Sequence, residues 1–322
     1  MKILITGAFG NLGLMCVERA LVLGFDVRCF DLYTKKNQQI AQQYEDKNGG
    51  QIETFFGDIR DRHRMKHAVK GVVGIIHNAS ILPPLTELNP KFAKDVNVEG
   101  TRSLISCAEE ENPSMRFIFP SSVTVFGLPS LNEAPRTELD SVEPTDNYTH
   151  HKLMCEEILK ESQLEWCVLR VGVSVDSRTL RTDWATFKKL LQVHADNPLE
   201  YVHPKDVAFA MCQALTAQEA SKKVLLIGGG RDCQVTQKQF LGVAMNACGL
   251  TLDADVFGQE AFYTHWMKTE ESQRILQYQT HYFSDYINEM QVALKRVRIL
   301  LTPFRPIVNK VFHNVMASLA RK

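Results

Sequence analysis

A short apolar run, Ile3-Leu4-Ile5-Thr6, leads directly into Gly7-Ala8-Phe9-Gly10-Asn11-Leu12-Gly13, and the pattern then turns helical. Nothing else in the chain constrains its fold as much. Three glycines between a strand and a helix allow a tight turn, and they let backbone N–H groups approach a bound anion at a helix N-terminus. The spacing is Gly-x-x-Gly-x-x-Gly, one residue longer in its first gap than the common dinucleotide-binding pattern. An ordinary glycine-rich turn is the alternative reading. The strand–turn–helix setting is what favours a phosphate cradle.

The rest of the first half repeats the same alternation. Apolar strand-like runs fall at 3–6, 27–31, 52–56, 72–77, 116–120, 166–170 and 224–227. Helix-like segments fall between them at 11–24, 35–47, 62–69, 90–111 and 145–162. Buried strands alternating with helices imply βαβ units and a mainly parallel sheet. Right-handed crossovers make that sheet doubly wound, with ligands at the carboxyl ends of its strands. The expected fold class is therefore α/β, a doubly wound parallel sheet with a smaller, mainly helical lobe over its ligand edge. The nucleotide-binding part is expected at 1–172 and 201–228, and the substrate lobe at 173–200 and 229–294. A basic tail is expected at 295–322.

Composition excludes several classes. Lysine plus arginine equals aspartate plus glutamate at 37 each, so overall charge gives no cue for nucleic acid. The eight cysteines form no Cys-x-x-Cys pair. They read as buried free thiols in a reducing, cytoplasmic setting rather than as a disulfide framework or zinc site. No carboxylate and histidine group shows metal-ligand spacing, so no catalytic metal is expected. The first strand begins at Lys2, so no signal segment is expected ahead of it, and no apolar run is long enough to span a bilayer.

Chemistry-bearing residues cluster at strand ends. Asp31 closes the second strand, 18 residues after Gly13. A carboxylate there accepts from adenosine ribose hydroxyls and repels a 2′-phosphate, which favours NAD over NADP. A solvated turn aspartate is the alternative, and Lys35 and Lys36 weaken the preference. Asp58 suits either the adenine amino group or a cap for the next helix. Tyr148 and Lys152 are one helical turn apart, on a face shared with Cys155 and Leu159. An adjacent ammonium is expected to lower the tyrosine pKa and ready it for proton transfer. Ser121-Ser122 end the preceding strand and offer a hydroxyl at the same edge. His77 reads as a packed or hydrogen-bonded residue, and His150 and His151 as helix-surface residues beside the cleft.

Taken in order, Gly7/Gly10/Gly13, Asp31, Asp58, His77-Asn78-Ala79-Ser80, Asn97-Val98-Glu99-Gly100-Thr101, Ser121-Ser122, Tyr148/Lys152 and Leu169-Arg170 resemble the extended short-chain dehydrogenases/reductases. This is the superfamily of NAD-dependent epimerases, dehydratases and 3β-hydroxysteroid dehydrogenases. Tyr201-Val202-His203-Pro204-Lys205-Asp206-Val207-Ala208 resembles a later landmark of the same group. The likeness covers residues 1 to about 230 well and the remainder loosely. It implies a Rossmann fold and NAD as cofactor, contacted by Gly7, Phe9, Gly10, Asn11, Leu12, Gly13, Asp31, Asp58, Ile59, Asn78, Ala79, Ser80, Tyr148 and Lys152. It further implies that Tyr148 is the general acid/base. Lys152 would hold the nicotinamide ribose and tune Tyr148, Ser122 would orient the substrate oxygen, and Asn97 would be mainly structural.

Departures from the family pattern narrow the activity. Nucleotide-sugar epimerases carry an asparagine after the sixth strand that contacts the sugar diphosphate, and here the position is Val173. Only 174–200 separates this landmark from the next, shortening the nucleotide-binding part of the lobe. Val123-Thr124 stands where dehydratases carry an acidic pair. Oxidation–reduction of a hydroxyl or ketone on a small-molecule substrate is the leading expectation. An epimerase that recycles its cofactor is the second, and a non-catalytic NAD-sensing protein the third. Finally, Ile307, Val308, Val311, Phe312, Val315, Met316 and Leu319 recur at helical spacing after Pro303 and Pro306, amid Lys295, Arg296, Arg298, Arg305, Lys310, Arg321 and Lys322. Packing on the protein's own lobe or on a second copy in a homodimer is the first reading of this stripe. Peripheral contact with an anionic membrane is the second.

Overall fold

The computed structural model describes residues 1–129, 134–178 and 184–320. Seven parallel strands form one sheet: β1 (Lys2–Thr6), β2 (Asp26–Asp31), β3 (Ile52–Phe56), β4 (Gly74–His77), β5 (Arg116–Ser122), β6 (Glu165–Val171) and, beyond the short β7 (Pro198–Glu200), β8 (Lys223–Ile227). The spatial order is β3-β2-β1-β4-β5-β6-β8. The chain starts in the middle, runs outward to β3, then crosses back to β4. The order therefore reverses between β1 and β4, where a doubly wound sheet opens a crevice.

Strand alternation explains why both faces are covered. Ile3 and Ile5 point to one side with Ile118 and Leu169, while Leu4 points to the other with Phe117 and Phe119. The first face is packed by α1 (Asn11–Val22), α2 (Lys35–Asn48) and, later in the chain, α9 (Pro204–Ala214). The second is packed by α3 (Arg62–Val69), α6 (Gly100–Glu111) and α7 (Asn147–Glu161). Thr34, Asp61 and Asp146 cap α2, α3 and α7 through their side chains. The helix expected at 90–111 is not continuous. Behind the short α4 (Leu85–Leu88), α5 (Pro90–Lys94) passes through a wide π turn, Asp95–Glu99, before α6. In that turn the Asn97 side chain accepts from Ile81 N and donates to Ile81 O, fastening the loop after β4.

A second body of apolar packing lies outside the sheet. β7 pairs antiparallel with β9 (Gln234–Thr236), a ribbon that helix periodicity did not suggest. Around it stand α8 (Trp184–Gln192), α10 (Gln237–Cys248), α12 (Phe283–Ala293), α13 (Lys295–Leu301) and α14 (Arg305–Ala320). Tyr201 stacks on Tyr286 at 5.0 Å in one cluster, and Leu191, Leu252 and Phe257 form another. α11 (Glu270–Leu276) falls inside the range expected for the lobe, yet Leu276 and Tyr278 belong to the core of the sheet. The C-terminal stripe divides. Val308 and Phe312 turn inward, while Ile307 and Val311 remain exposed. Met316 and Leu319, like Arg321 and Lys322, lie beyond the residues whose side chains are described. No described helix is long and apolar enough to cross a membrane. All eight cysteines are free, and seven of them are buried.

Candidate active site

At the crevice between β1 and β4, the glycine turn has little choice of residue. Gly7 adopts φ +62°, and a Cβ there would lie 2.8 Å from Ala79 N. A Cβ on Gly13 would lie 2.0 Å from Gly7 O, inside any possible contact distance. The turn is thereby pressed flat against β4 and the start of α1. Gly10 caps α1 without any side-chain hydrogen bond, so the first amides of the helix, from Asn11 onward, keep their anion-attracting character. Asp31, at the end of β2, accepts from Phe9 N at 2.8 Å and from Leu32 N. Burial raises its pKa above the usual carboxylate range, while those two amides oppose the shift.

These residues line a cleft of about 800 Å³. All the residues expected from the sequence to touch a dinucleotide border it: Gly7, Phe9, Gly10, Asn11, Leu12, Gly13, Asp31, Asp58, Ile59, Asn78, Ala79 and Ser80, with Ser122, Tyr148 and Lys152. Asp58 does not cap α3, because Asp61 does. It is instead held by Arg60 at 2.6 Å, a hydrogen bond that keeps its pKa below the ordinary value. Lys36, read from the sequence as weakening the NAD preference, also lines the cleft, as do residues that the sequence did not single out, among them Asp176, Arg178, Ile81, Leu82, Phe92, Val96 and Val175. Asp176 and Arg178 are ion-paired at 2.7 Å, on a segment with no motif to announce it. The glycine cradle, the uncapped helix start and the Asp31 carboxylate together suit a dinucleotide with a free ribose diol.

The reactive side chains come from two adjoining elements. Ser121 and Ser122, at the end of β5, both border the cleft, but their hydroxyls part: Ser121 Oγ is turned to Glu156, while Ser122 Oγ lies 2.8 Å from Thr124 Oγ1. From α7, Tyr148 enters the same cleft, with the Lys152 ammonium 5.6 Å from its ring centroid. Lys152 Nζ donates to Pro120 O at 2.7 Å, beside Ser121-Ser122. Behind them, Ser121 Oγ donates to Glu156 at 2.6 Å, and Arg170 binds both oxygens of that buried carboxylate. Burial works against the Glu156 charge, but Arg170 outweighs it and holds the carboxyl below its usual range. The ion pair thus ties α7, β5 and β6 together one helical turn from Lys152.

Two expectations are corrected here. The Tyr148 pKa is pushed up to about 12, not down, because burial disfavours phenolate and Asp146 adds to the effect. The ammonium that was to lower it is turned to Pro120 O and is itself pushed down to about 8 by burial, against the pull of Cys155 and Glu156. His151 is not a surface residue. It is buried, with Nδ1 3.4 Å from Asn97 Nδ2, whereas His150 is exposed. His77 is fully packed. Its Nδ1 lies 2.6 Å from Thr6 Oγ1 and its Nε2 2.8 Å from Thr101 Oγ1, and burial pushes its pKa down to about 3.

A seven-stranded doubly wound sheet whose switch-point cleft gathers a glycine cradle, a serine, a tyrosine and a lysine defines an extended short-chain dehydrogenase/reductase. Residues 4–168 match the 3-beta hydroxysteroid dehydrogenase/isomerase family, and the chain belongs to it. D-erythronate dehydrogenase of Haemophilus influenzae is 27% identical over 50% of this chain and 50% of its own length. Human sterol-4-alpha-carboxylate 3-dehydrogenase, decarboxylating, is 28% identical over 47% of this chain and 37% of its own. The chain spans about half the length of the curated relatives it matches. UDP-glucose-4-epimerase from Stenotrophomonas maltophila, solved with bound NAD, superposes with a TM-score of 0.76 at 18% identity, covering 94% of this chain and 99% of that one. A short-chain dehydrogenase/reductase superfamily protein from Agrobacterium tumefaciens, also with bound NAD, gives 0.71 at 22%, covering 95% and 100%. At such identities the structural likeness speaks for the fold alone.

Proposed function

We propose that this chain is an NAD-dependent oxidoreductase that interconverts a secondary hydroxyl and a ketone on an apolar small molecule. One observation carries the reading: Ser122, Tyr148 and Lys152 open into the same cleft as the glycine cradle and Asp31. When bound there, the nicotinamide would take or return the hydride at the carbon that bears oxygen. The chain's own residues handle the proton. Ser122 Oγ and Tyr148 Oη hydrogen-bond the substrate oxygen, and Tyr148 gives its proton to that oxygen in reduction or accepts one in oxidation. A phenol pushed up to about 12 keeps its proton at neutral pH, so the free protein is poised as a proton donor. Lys152, buried and bound to Pro120 O, carries the positive charge that steadies a developing phenolate.

The apolar substrate is supported by Ile81, Leu82, Val96 and Val175 in the cleft wall, and by Val173 at the position where nucleotide-sugar epimerases use asparagine. Two relatives named for sterol or steroid dehydrogenation fit the same preference. The test is to incubate the protein with NAD and a panel of apolar secondary alcohols, hydroxysteroids among them, and to follow NADH. Net accumulation of NADH supports the reading. Inversion of a nucleotide sugar without NADH would replace it with cofactor-recycling epimerisation.

A further inference from the structure

The last described segment is helical and presents two faces. α13, a tight turn at Thr302–Phe304 and α14 follow one another with helical backbone at Leu301, Thr302 and Arg305. One face is fastened to the lobe. Phe312 packs on the cluster of Leu191, Leu252 and Phe257, and Arg305 Nε donates to Gly249 O at 2.8 Å. Thr251 N donates to Asn309 Oδ1, and His313 stands 3.6 Å from the Asp253 carboxylate and 3.3 Å from that of Asp255. These attachments fix which side faces out.

The outward side is apolar. Val297, Leu300, Phe304, Ile307 and Val311 are each between 40% and 73% exposed. Their spacing of three and four residues puts them in one stripe. Arg296 and Lys310 each precede a stripe residue by one position, which sets them about 100° round the helix, on its flank. Lys295 and Arg298, though exposed, lie about 200° round the helix from the stripe, and no acidic residue follows Glu289.

We infer that α13–α14 docks this protein on an anionic lipid surface, with the stripe in the headgroup–acyl boundary and the cations against lipid phosphates. The inference does not depend on the redox reading. Packing on the protein's own lobe does not account for the stripe, since the attachments to the lobe use the opposite face. A second copy of the chain is disfavoured by charge, because a two-fold axis through this face would set like cations against one another.

The test is co-sedimentation of the full chain with vesicles of mixed phosphatidylglycerol and phosphatidylcholine, compared with phosphatidylcholine alone. The protein is expected to pellet with the anionic vesicles at low salt and to be released as salt rises. Ile307→Asp with Val311→Asp should weaken binding by more than about tenfold, because each removes apolar area from the bilayer. Arg296→Glu with Lys310→Glu should weaken it by more than about fivefold for each residue changed. All four positions are exposed, so melting temperature and NAD binding should stay at wild-type values. Two results would overturn the inference. One is a full chain that remains in the supernatant with anionic vesicles at low salt. The other is a concentration-dependent dimer, seen by sedimentation, that the aspartate pair dissolves while vesicle binding is absent.

Discussion

Tyr148 and Lys152 are one helical turn apart, yet the lysine does not do what proximity alone suggests. Burial sets both groups against their charged forms: the phenol is pushed up to about 12 and the ammonium down to about 8. The phenol's usefulness therefore lies in its proton and its position in the cleft wall. Tyr148→Phe keeps the ring and removes the proton. It should leave NAD affinity within about twofold of wild type and lower turnover by about 10²- to 10⁴-fold. Binding titration and steady-state rates on the same preparation separate the two effects, and retained turnover would put the chemistry elsewhere. The sequence showed which residues meet but not the sign of the tyrosine shift, because spacing reveals a neighbouring charge and says nothing of burial. The same blindness explains His151, whose polar flanks looked solvent-facing although the side chain is buried against Asn97.

Among elements, those that hold the cofactor-type turn were legible and those over the cleft were not. Glycine spacing after an apolar run marks a strand–turn–helix unit whatever the tertiary setting, and the turn stands where it was expected. Gly13 makes the point quantitatively, since a Cβ there would lie 2.0 Å from a backbone oxygen that cannot swing away. Gly13→Ala should cost NAD binding more than about 100-fold, and it should lower thermal stability as the turn lifts from α1. A titration that finds wild-type affinity would mean that the turn is not the cradle. By contrast, the break in the helix at 90–111 comes from Asn97 reaching across to Ile81, a contact between segments that periodicity cannot register. The β7–β9 ribbon has three-residue strands, too short to show alternation. Beneath the turn, His77 joins β1, β4 and α6 through Thr6 and Thr101 as a neutral imidazole. Its folded pKa of about 3 lies below the ordinary value of 6.5, so the unfolded chain binds more protons across that window. Stability from this group is present above 6.5 and is lost as pH falls toward 3. Denaturant unfolding should show His77→Asn losing about 2 kcal/mol less than the wild type between pH 7 and pH 5. Parallel pH profiles for the two proteins would deny His77 this part.

Across the whole molecule, the cleft joins the sheet to the segment after β6, and each side offers charged groups that bear on cofactor choice. Asp31 comes from the sheet side and Arg178 from the other side, with Lys36 also in the lining. A carboxylate beside the ribose accepts from two hydroxyls and repels a phosphate, whereas an arginine and a lysine nearby attract one. The balance is decided by how each group is already engaged. Arg178 is committed to Asp176 at 2.7 Å, so a 2′-phosphate would have to compete with a carboxylate for it. Asp31 is fixed by the Phe9 and Leu32 amides and keeps further lone pairs to offer a ribose. NAD should therefore bind more tightly than NADP. Because either dinucleotide would bind the folded chain and not the unfolded one, the difference is readable as stability: a ligand at about 100 times its Kd adds about 2.7 kcal/mol. At equal concentrations, NAD should raise the melting temperature more than NADP does. Asp31→Asn, which keeps the shape and removes the negative charge, should narrow the gap by weakening NAD and admitting NADP. An equal or larger shift with NADP on the wild-type chain would mean that Lys36 and Arg178, not Asp31, govern the adenosine end of the cleft.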